Sequence, residues 1–154
     1  TKKLQSLRDR DYVDYKSVLD LKLKVLEMIF DYNRMTDRRS NRGKKFLEFI
    51  NQGGESLMSM ATYDAMQRTF YQKGINAWGW MKFPKEYQEC HGPFVIKWRE
   101  LNKELVYFYC YLQFLAQEQL QDAYQAACDE GMVLGTYRDL AVGVSEGSCD
   151  VWAH

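Results

Sequence analysis

The feature that most constrains the fold is an abrupt change of pattern near the C-terminal end, "GMVLGTYRDLAVGVSEGSCDVWAH", residues 131–154. The preceding hundred-odd residues read mostly as helix. Here a glycine is followed by an apolar run, an Arg-Asp pair and a second apolar run. Gly131 suits a left-handed helix cap, and "MVLGTY" (132–137) reads as a strand with both faces apolar or aromatic. Such a strand belongs in the middle of a parallel sheet covered on both sides. No other stretch of the chain offers it a partner, and each peptide group buried without one costs about 1–3 kcal/mol. The expectation is therefore a strand whose sheet lies outside these 154 residues.

The rest is helical in pattern. In "DYVDYKSVLDLKLKVLEMIFDYN" the residues Val18, Leu21, Val25, Met28, Ile29 and Tyr32 recur at three- and four-residue steps, and Asp14 or Ser17 can cap the N-terminus. A basic run follows, with five arginines and lysines between positions 38 and 45, and reads as a solvated turn rather than a phosphate site. Helical pattern resumes through Phe46, Phe49, Ile50, Leu57, Met60, Ala61, Met66 and Phe70. Gly53-Gly54 within it is either a break or a close-packing point, since each glycine costs a helix interior about 1 kcal/mol. Residues 74–94 hold both prolines and the Trp78-Gly79-Trp80 triplet, and read as a loop pinned to the helices by its aromatics. The longest helix is expected over residues 96–130; its centre, residues 105–116, is apolar or aromatic on nearly every face and must be covered on several sides.

The chain carries 21 Lys and Arg against 21 Asp and Glu, so no overall field draws it to nucleic acid or anionic lipid, and a neutral ligand suits it at least as well as a charged one. No apolar run approaches the roughly 20 residues that cross a bilayer. Cys90, Cys110, Cys128 and Cys149 form no CxxC pair, and without a signal-like N-terminus they favour a cytoplasmic setting with the thiols as bystanders. His91 and His154 are too few and too isolated for a metal site.

Helix, glycine, buried strand and then Asp139 at the strand's end form the αβ step of a β/α barrel or doubly wound sheet, where functional residues stand at the carboxyl ends of strands. From spacing alone, Asp139 serves equally well as a local cap or as a partner of Arg138. "GTYRDLAVGVSEGSCDVWAH" resembles the third-strand segment of the bacterial 4-α-glucanotransferases known as amylomaltases or disproportionating enzymes, of the α-amylase superfamily. "YVDYKSVLDLKLKVLEMIF" resembles the helix start that follows their second barrel strand, and "YFYCYLQFLAQEQLQDAYQAACDEGM" resembles the helix that leads into the third. Over residues 34–94 the likeness is one of pattern rather than motif.

The resemblance implies a mainly α chain with one or few strands, a fragment of a (β/α)8 barrel enzyme. Residues 1–130 would be a helical subdomain inserted between barrel strands 2 and 3, and residues 131–154 would be strand 3 with its following loop. It implies a cofactor-free parent enzyme that passes α-1,4-glucan units between maltooligosaccharides with retention. That chemistry needs a carboxylate nucleophile and a carboxylic acid/base about 5 Å apart. By resemblance Asp139 is the aspartate that supports the site and binds sugar, and is neither of those two groups. The nucleophile and acid/base lie outside this chain, so the fragment alone is expected to be inactive and, with apolar surface bare, to self-associate. Glu146 and Asp150 are assigned to loop structure. Arg138 stands where many family members have glycine, and could pair with Asp139 and hold it ionised. The alternative is a helical interaction module without catalytic activity, binding a partner through its aromatic central helix.

Overall fold

A computed structural model of the protein describes residues 2–33, 35–140 and 142–154. The elements are α1 (Lys2–Arg8), α2 (Tyr15–Tyr32), α3 (Asn41–Gln72), two single 3₁₀ turns (Trp80–Lys82 and Lys85–Tyr87), α4 (Pro93–Leu101), α5 (Lys103–Asp129) and α6 (Cys149–Ala153). The protein is thus mainly helical, and the described residues contain no strand. Among the described residues no helix is long and apolar enough to cross a membrane.

Local chemistry explains the boundaries. Asp14, rather than Ser17, caps α2: its Oδ1 accepts the Ser17 backbone N–H at 3.0 Å. Ser40 caps α3 in the same way, with its Oγ 2.9 Å from the Gly43 nitrogen. The Gly53-Gly54 pair proves to be a break. Gly54 sits at φ 53°, ψ −146°, where a helix cannot continue, and α3 is two helical arms joined across that kink. The long helix expected over residues 96–130 is likewise two helices. Asn102, at φ −116°, ψ 29°, interrupts it, its carboxamide donating to the Trp98 carbonyl at 2.8 Å. An asparagine side chain competes with the backbone for hydrogen bonds and so favours a helix end, which sequence periodicity does not show.

The core is a pair formed by α3 and α5, with α2, α4 and α6 against it. One aromatic cluster joins Phe30 of α2, Phe46 of α3 and Phe108, Tyr111 and Phe114 of α5, with ring centroids 5.3–6.2 Å apart in the contacts that Phe30 and Phe46 make with these rings. Mostly edge-on, these pairs add about 0.5–1.5 kcal/mol each to the area they bury. The expected covering of the α5 centre is what the structure has: Val106, Phe108, Tyr109, Cys110, Tyr111 and Phe114 are all buried. A second cluster, beyond the kink, gathers Tyr63, Phe70, Phe83, Tyr87 and Trp152. Arg42 staples the first arm of α3 to α5, with two hydrogen bonds to Glu118 (2.6 and 3.2 Å) and its guanidinium 5.3 Å from the Phe114 ring.

The loop at 74–94 is pinned by aromatics as expected, but by Phe83 and Trp80, whose indole donates to the Glu146 carbonyl at 2.8 Å; Trp78 stands in solvent. Gly131 takes the left-handed cap at φ 89°, with the paired bonds Gly131 N–H to Cys128 carbonyl and Met132 N–H to Ala127 carbonyl.

Beyond that cap the structure departs from expectation. The segment 132–137 is not a strand but turn and coil, with Val133 96% and Tyr137 95% exposed. The physical reason is the one that made the segment unusual. A strand is stable only beside another, and no described element offers an edge, so the backbone closes a local turn instead (Gly135 N–H to Met132 carbonyl, 3.2 Å). The last stretch is anchored again. Ser148 caps α6, the Tyr63 hydroxyl donates to the Gly147 carbonyl, and buried Trp152 packs on Tyr63 and Phe83 while its indole donates to the Tyr87 carbonyl at 3.2 Å.

Candidate functional site

Asp139 lies in the coil after α5, exposed, with no hydrogen bond or ion pair among the described residues. The expected Arg138–Asp139 pair does not form. Arg138 turns instead toward α5, its Nη2 3.5 Å from the Leu120 carbonyl. An extended strand would have put neighbouring side chains on opposite faces, and the coil gives them no reason to meet. Glu146 contributes its backbone carbonyl to Trp80, and Asp150 stands in the first turn of α6. Among the described residues no three His, Cys, Asp or Glu side chains are placed to hold a metal ion.

An open cleft of about 690 Å³ lies between the kink of α3, the middle of α5 and the C-terminal segment. Its α5 wall is Gln113, Ala116, Gln117 and Leu120, which share one helix face by their spacing. Its α3 wall follows directly from the kink: Gly53, Glu55, Ser56 and Ser59, with Leu57 and Met60. Before the kink the helices are held together by Phe46 and Phe49 against Phe114, so the change of direction at Gly54 opens the space. His91, Arg138, Asp150 and His154 complete the rim. The structure therefore brings to one cleft both histidines, which stand 63 positions apart in the sequence.

Glu55 organises the cleft's α3 side. Its Oε1 accepts from Arg99 Nη1 at 2.8 Å and from the Ser59 hydroxyl at 3.1 Å, and His91 Nδ1 stands 3.7 Å away. Burial pushes this carboxyl up, but the hydrogen bonds and charge of Arg99 outweigh it and hold Glu55 below the usual range, so it is an anion. Arg99 reaches it from α4, with Nε and Nη2 buried and without a hydrogen-bond partner among the described residues. By contrast the carboxyl of Asp64, half-buried on α3 and without a hydrogen-bonding partner among the described residues, is pushed up to about 6 by desolvation.

The cysteines are free. Burial pushes the thiols of Cys110 and Cys149 up to about 12, that of Cys149 with help from the charges of Asp64 and Asp150. Thiols of that kind are protonated at neutral pH and poor nucleophiles. Sequence reasoning passed over Gln113 and Gln117. The signal available was a pair of carboxamides one turn apart on an otherwise apolar stretch.

Comparison with known proteins settles the family. The family model described as 4-alpha-glucanotransferase matches residues 1–154. The chain belongs to the 4-alpha-glucanotransferase family. Among curated relatives, the 4-alpha-glucanotransferase of Haemophilus influenzae is 35% identical over 156 residues, which take in 98% of this chain and 22% of that protein. The one from Mycobacterium tuberculosis is 28% identical over 143 residues (93% of this chain, 18% of the relative). That of Chlamydia pneumoniae is 29% identical over 155 residues (98% and 27%). This glucanotransferase-family chain thus spans about a fifth to a quarter of the length of these relatives.

Proposed function

We propose that the chain is an internal segment of a 4-α-glucanotransferase, an enzyme that cleaves α-1,4-glucan and transfers the glucanyl unit to another maltooligosaccharide. The observation that carries this is the match itself: nearly all of the chain aligns, in order, with about one fifth of a glucanotransferase. It favours an enzyme segment over a free-standing interaction module. In this proposal residues 1–130 are a helical subdomain inserted between strands 2 and 3 of a (β/α)8 barrel. Residues 131–154 are strand 3 and its loop, and in the whole enzyme residues 132–137 take up strand geometry between neighbours. The exposed apolar side chains there, Val133, Leu134 and Tyr137, support that role, because they are the ones a two-sided sheet interior needs. The free cysteines fit a cytoplasmic enzyme.

Asp139 then stands at the carboxyl end of strand 3, the end at which barrel enzymes place functional groups. There it acts as an acceptor for sugar hydroxyls beside the scissile bond. As the family resemblance implies, the nucleophile and the acid/base, the two carboxyl groups about 5 Å apart that retaining transfer requires, come from elsewhere in the parent. No cofactor enters the proposed chemistry.

The test is transfer itself. The parent protein incubated with maltotriose should yield both shorter and longer maltooligosaccharides, and the 154-residue chain should yield none. A parent that produces only glucose and maltose, without longer products, overturns the proposal. Asp139→Asn in the parent should lower kcat/KM by on the order of 10²–10³-fold, as the loss of one preorganised group in the transition state does, with the circular dichroism spectrum unchanged. Wild-type kcat/KM in that variant would remove Asp139 from the site.

A further inference from the structure

The loop after Asp139 is bare along its length and held at its end. Leu140 and residues 142–146 are exposed, whereas residues 147–149 are partly buried and Trp152 is buried. The change falls where two aromatic side chains reach the backbone. The Trp80 indole donates to the Glu146 carbonyl at 2.8 Å, and the Tyr63 hydroxyl donates to the next carbonyl along, that of Gly147. The chain turns around these two carbonyls, with the Ser148 N–H on the Ser145 carbonyl at 2.9 Å. Gly79, beside Trp80, meets Gly147 backbone to backbone. A Cβ added at Gly79 would stand 3.2 Å from the Gly147 Cα, so a side chain there would push the two segments apart.

Both donors are fixed by their own surroundings. The Tyr63 ring is buried, its centroid 5.4 Å from that of Phe83 and 5.6 Å from that of Trp152. Trp80 begins a 3₁₀ turn that closes with the Phe83 N–H on the Trp80 carbonyl at 3.0 Å, and Phe83 is itself in the core. A backbone carbonyl at the surface needs no protein partner, because water serves it. What two rigid donors add is position. A loop tied at one end only samples many more conformations, and the strand-end residue from which it leaves frays with it. Six residues separate Asp139 from Glu146, so little chain stands between the tie and the carboxylate.

We infer that Trp80 and Tyr63 are positioning residues for the transfer reaction: by holding the Glu146 and Gly147 carbonyls they fix the far end of the loop that begins at Asp139, and so keep the Asp139 carboxylate in place. The inference rests on the role of Asp139 proposed above. Neither side chain takes part in bond breaking; both act through Asp139. A displacement of about 1 Å in a group that holds the reacting sugar costs up to about 10²-fold in rate, so a tie remote from the chemistry has a measurable effect.

The experiment uses the full-length parent enzyme with maltotriose as substrate. Trp80→Phe and Tyr63→Phe together remove one N–H and one O–H and keep an aromatic ring at each place, so the double variant should fold, with Tm close to wild type. Its kcat/KM should fall about tenfold, with the loss on kcat and KM within about twofold. In the parent already carrying Asp139→Asn, the same two changes should lower kcat/KM by less than about twofold, because the group they hold is already disabled. A purely structural tie would cut both backgrounds equally. Equal losses therefore overturn the inference, as do wild-type kinetics in the double variant or an effect confined to KM. Hydrogen exchange of the amides of residues 142–148 should rise in the double variant, and unchanged exchange overturns the tie itself. A parent that transfers nothing, or wild-type kcat/KM in Asp139→Asn alone, overturns the proposed role of Asp139 and the inference with it. A damaged Asp139→Asn beside an undamaged double variant overturns the inference alone.

Discussion

Replacing Asp64 with asparagine should stabilise the protein, and only above about pH 4. Asp64 sits on the second arm of α3, between buried Tyr63 and Ala65, and among the described residues no donor reaches its carboxylate. Its charge is felt by the groups around it, Tyr63 on the same helix, Tyr109 on α5 and Cys149 on α6, all of which it pushes toward their neutral forms. Desolvation raises the carboxyl from its ordinary 3.8 to about 6. A raised folded-state pKa means that the folded protein holds this proton more tightly than the unfolded chain does. Stability is therefore highest with Asp64 protonated, falls as pH rises from about 4 to about 6, and is level above that. That span, at about 1.36 kcal/mol per pKa unit, is close to about 3 kcal/mol, and water at a half-buried carboxylate trims it to about 2 kcal/mol. The asparagine side chain has nearly the same shape as aspartate and no charge to desolvate. Urea unfolding of the 154-residue chain, followed by tryptophan fluorescence, should show Asp64→Asn more stable by about 2 kcal/mol at about pH 7.5, with the gain fading to a few tenths at about pH 4. A gain equal at both pH values would point to packing rather than charge. A loss at the higher pH would mean that the ionised carboxylate has a favourable partner, and would refute the reasoning.

Two further substitutions probe the elements that shape the cleft and its wall. Gly54→Ala should cost about 1–3 kcal/mol, purely through backbone strain at φ 53°, because a Cβ there would meet nothing within 4 Å; thermal unfolding against wild type measures it, and an unchanged Tm would show that the kink does not depend on glycine. Trp152→Ala should cost about 3–5 kcal/mol, removing a buried indole that packs on Tyr63 and Phe83, and should release residues 146–154. Hydrogen exchange of the α6 amides should rise to that of the coil at 132–140, and retained protection would show that α6 is held by something else.

What was legible in the sequence was the helical content and the places where single residues force the backbone. Gly131, Gly54 and the Asp14 cap act through bonds to near neighbours, so a few letters gave the Gly131 cap outright and narrowed the other two to a pair of readings each, Gly53-Gly54 as break or close-packing point and Asp14 or Ser17 as cap. Asn102 has the same local character but no periodic signature, since a polar residue at that position is also what a continuous amphipathic helix would carry. Trp152 was hidden for a different reason. Its importance comes from Tyr63 and Phe83, 89 and 69 residues earlier, and nothing around it announces a core anchor. The cleft was hidden likewise, because it exists only where the bend of α3 faces α5. For Asp139, the spacing after a glycine cap singled out the residue, whereas its expected neighbours depend on a strand that the described residues do not form.

The two faces of α2 carry the same lesson to the level of the whole molecule. Its inner face is Leu23, Leu26 and Phe30, which pack toward α3 and α5. The stripe most evident in the sequence runs the other way: Val25, Met28, Ile29 and Tyr32 are 40–88% exposed. A helix apolar on two sides is built to be enclosed. The segment after α5 leaves Val133, Leu134, Tyr137, Leu140 and Val142 bare as well. At up to about 1.5–3 kcal/mol for each large apolar side chain fully buried, these nine residues represent an amount comparable to the roughly 5–15 kcal/mol that usually separates a folded domain from its unfolded state. A domain that had to stand alone would gain by making such positions polar, at little cost to its own core. Val, Leu, Met, Ile and Tyr at these places suit a covered surface, and in the proposed enzyme that cover would be a barrel sheet packed on α2 and paired with residues 132–137.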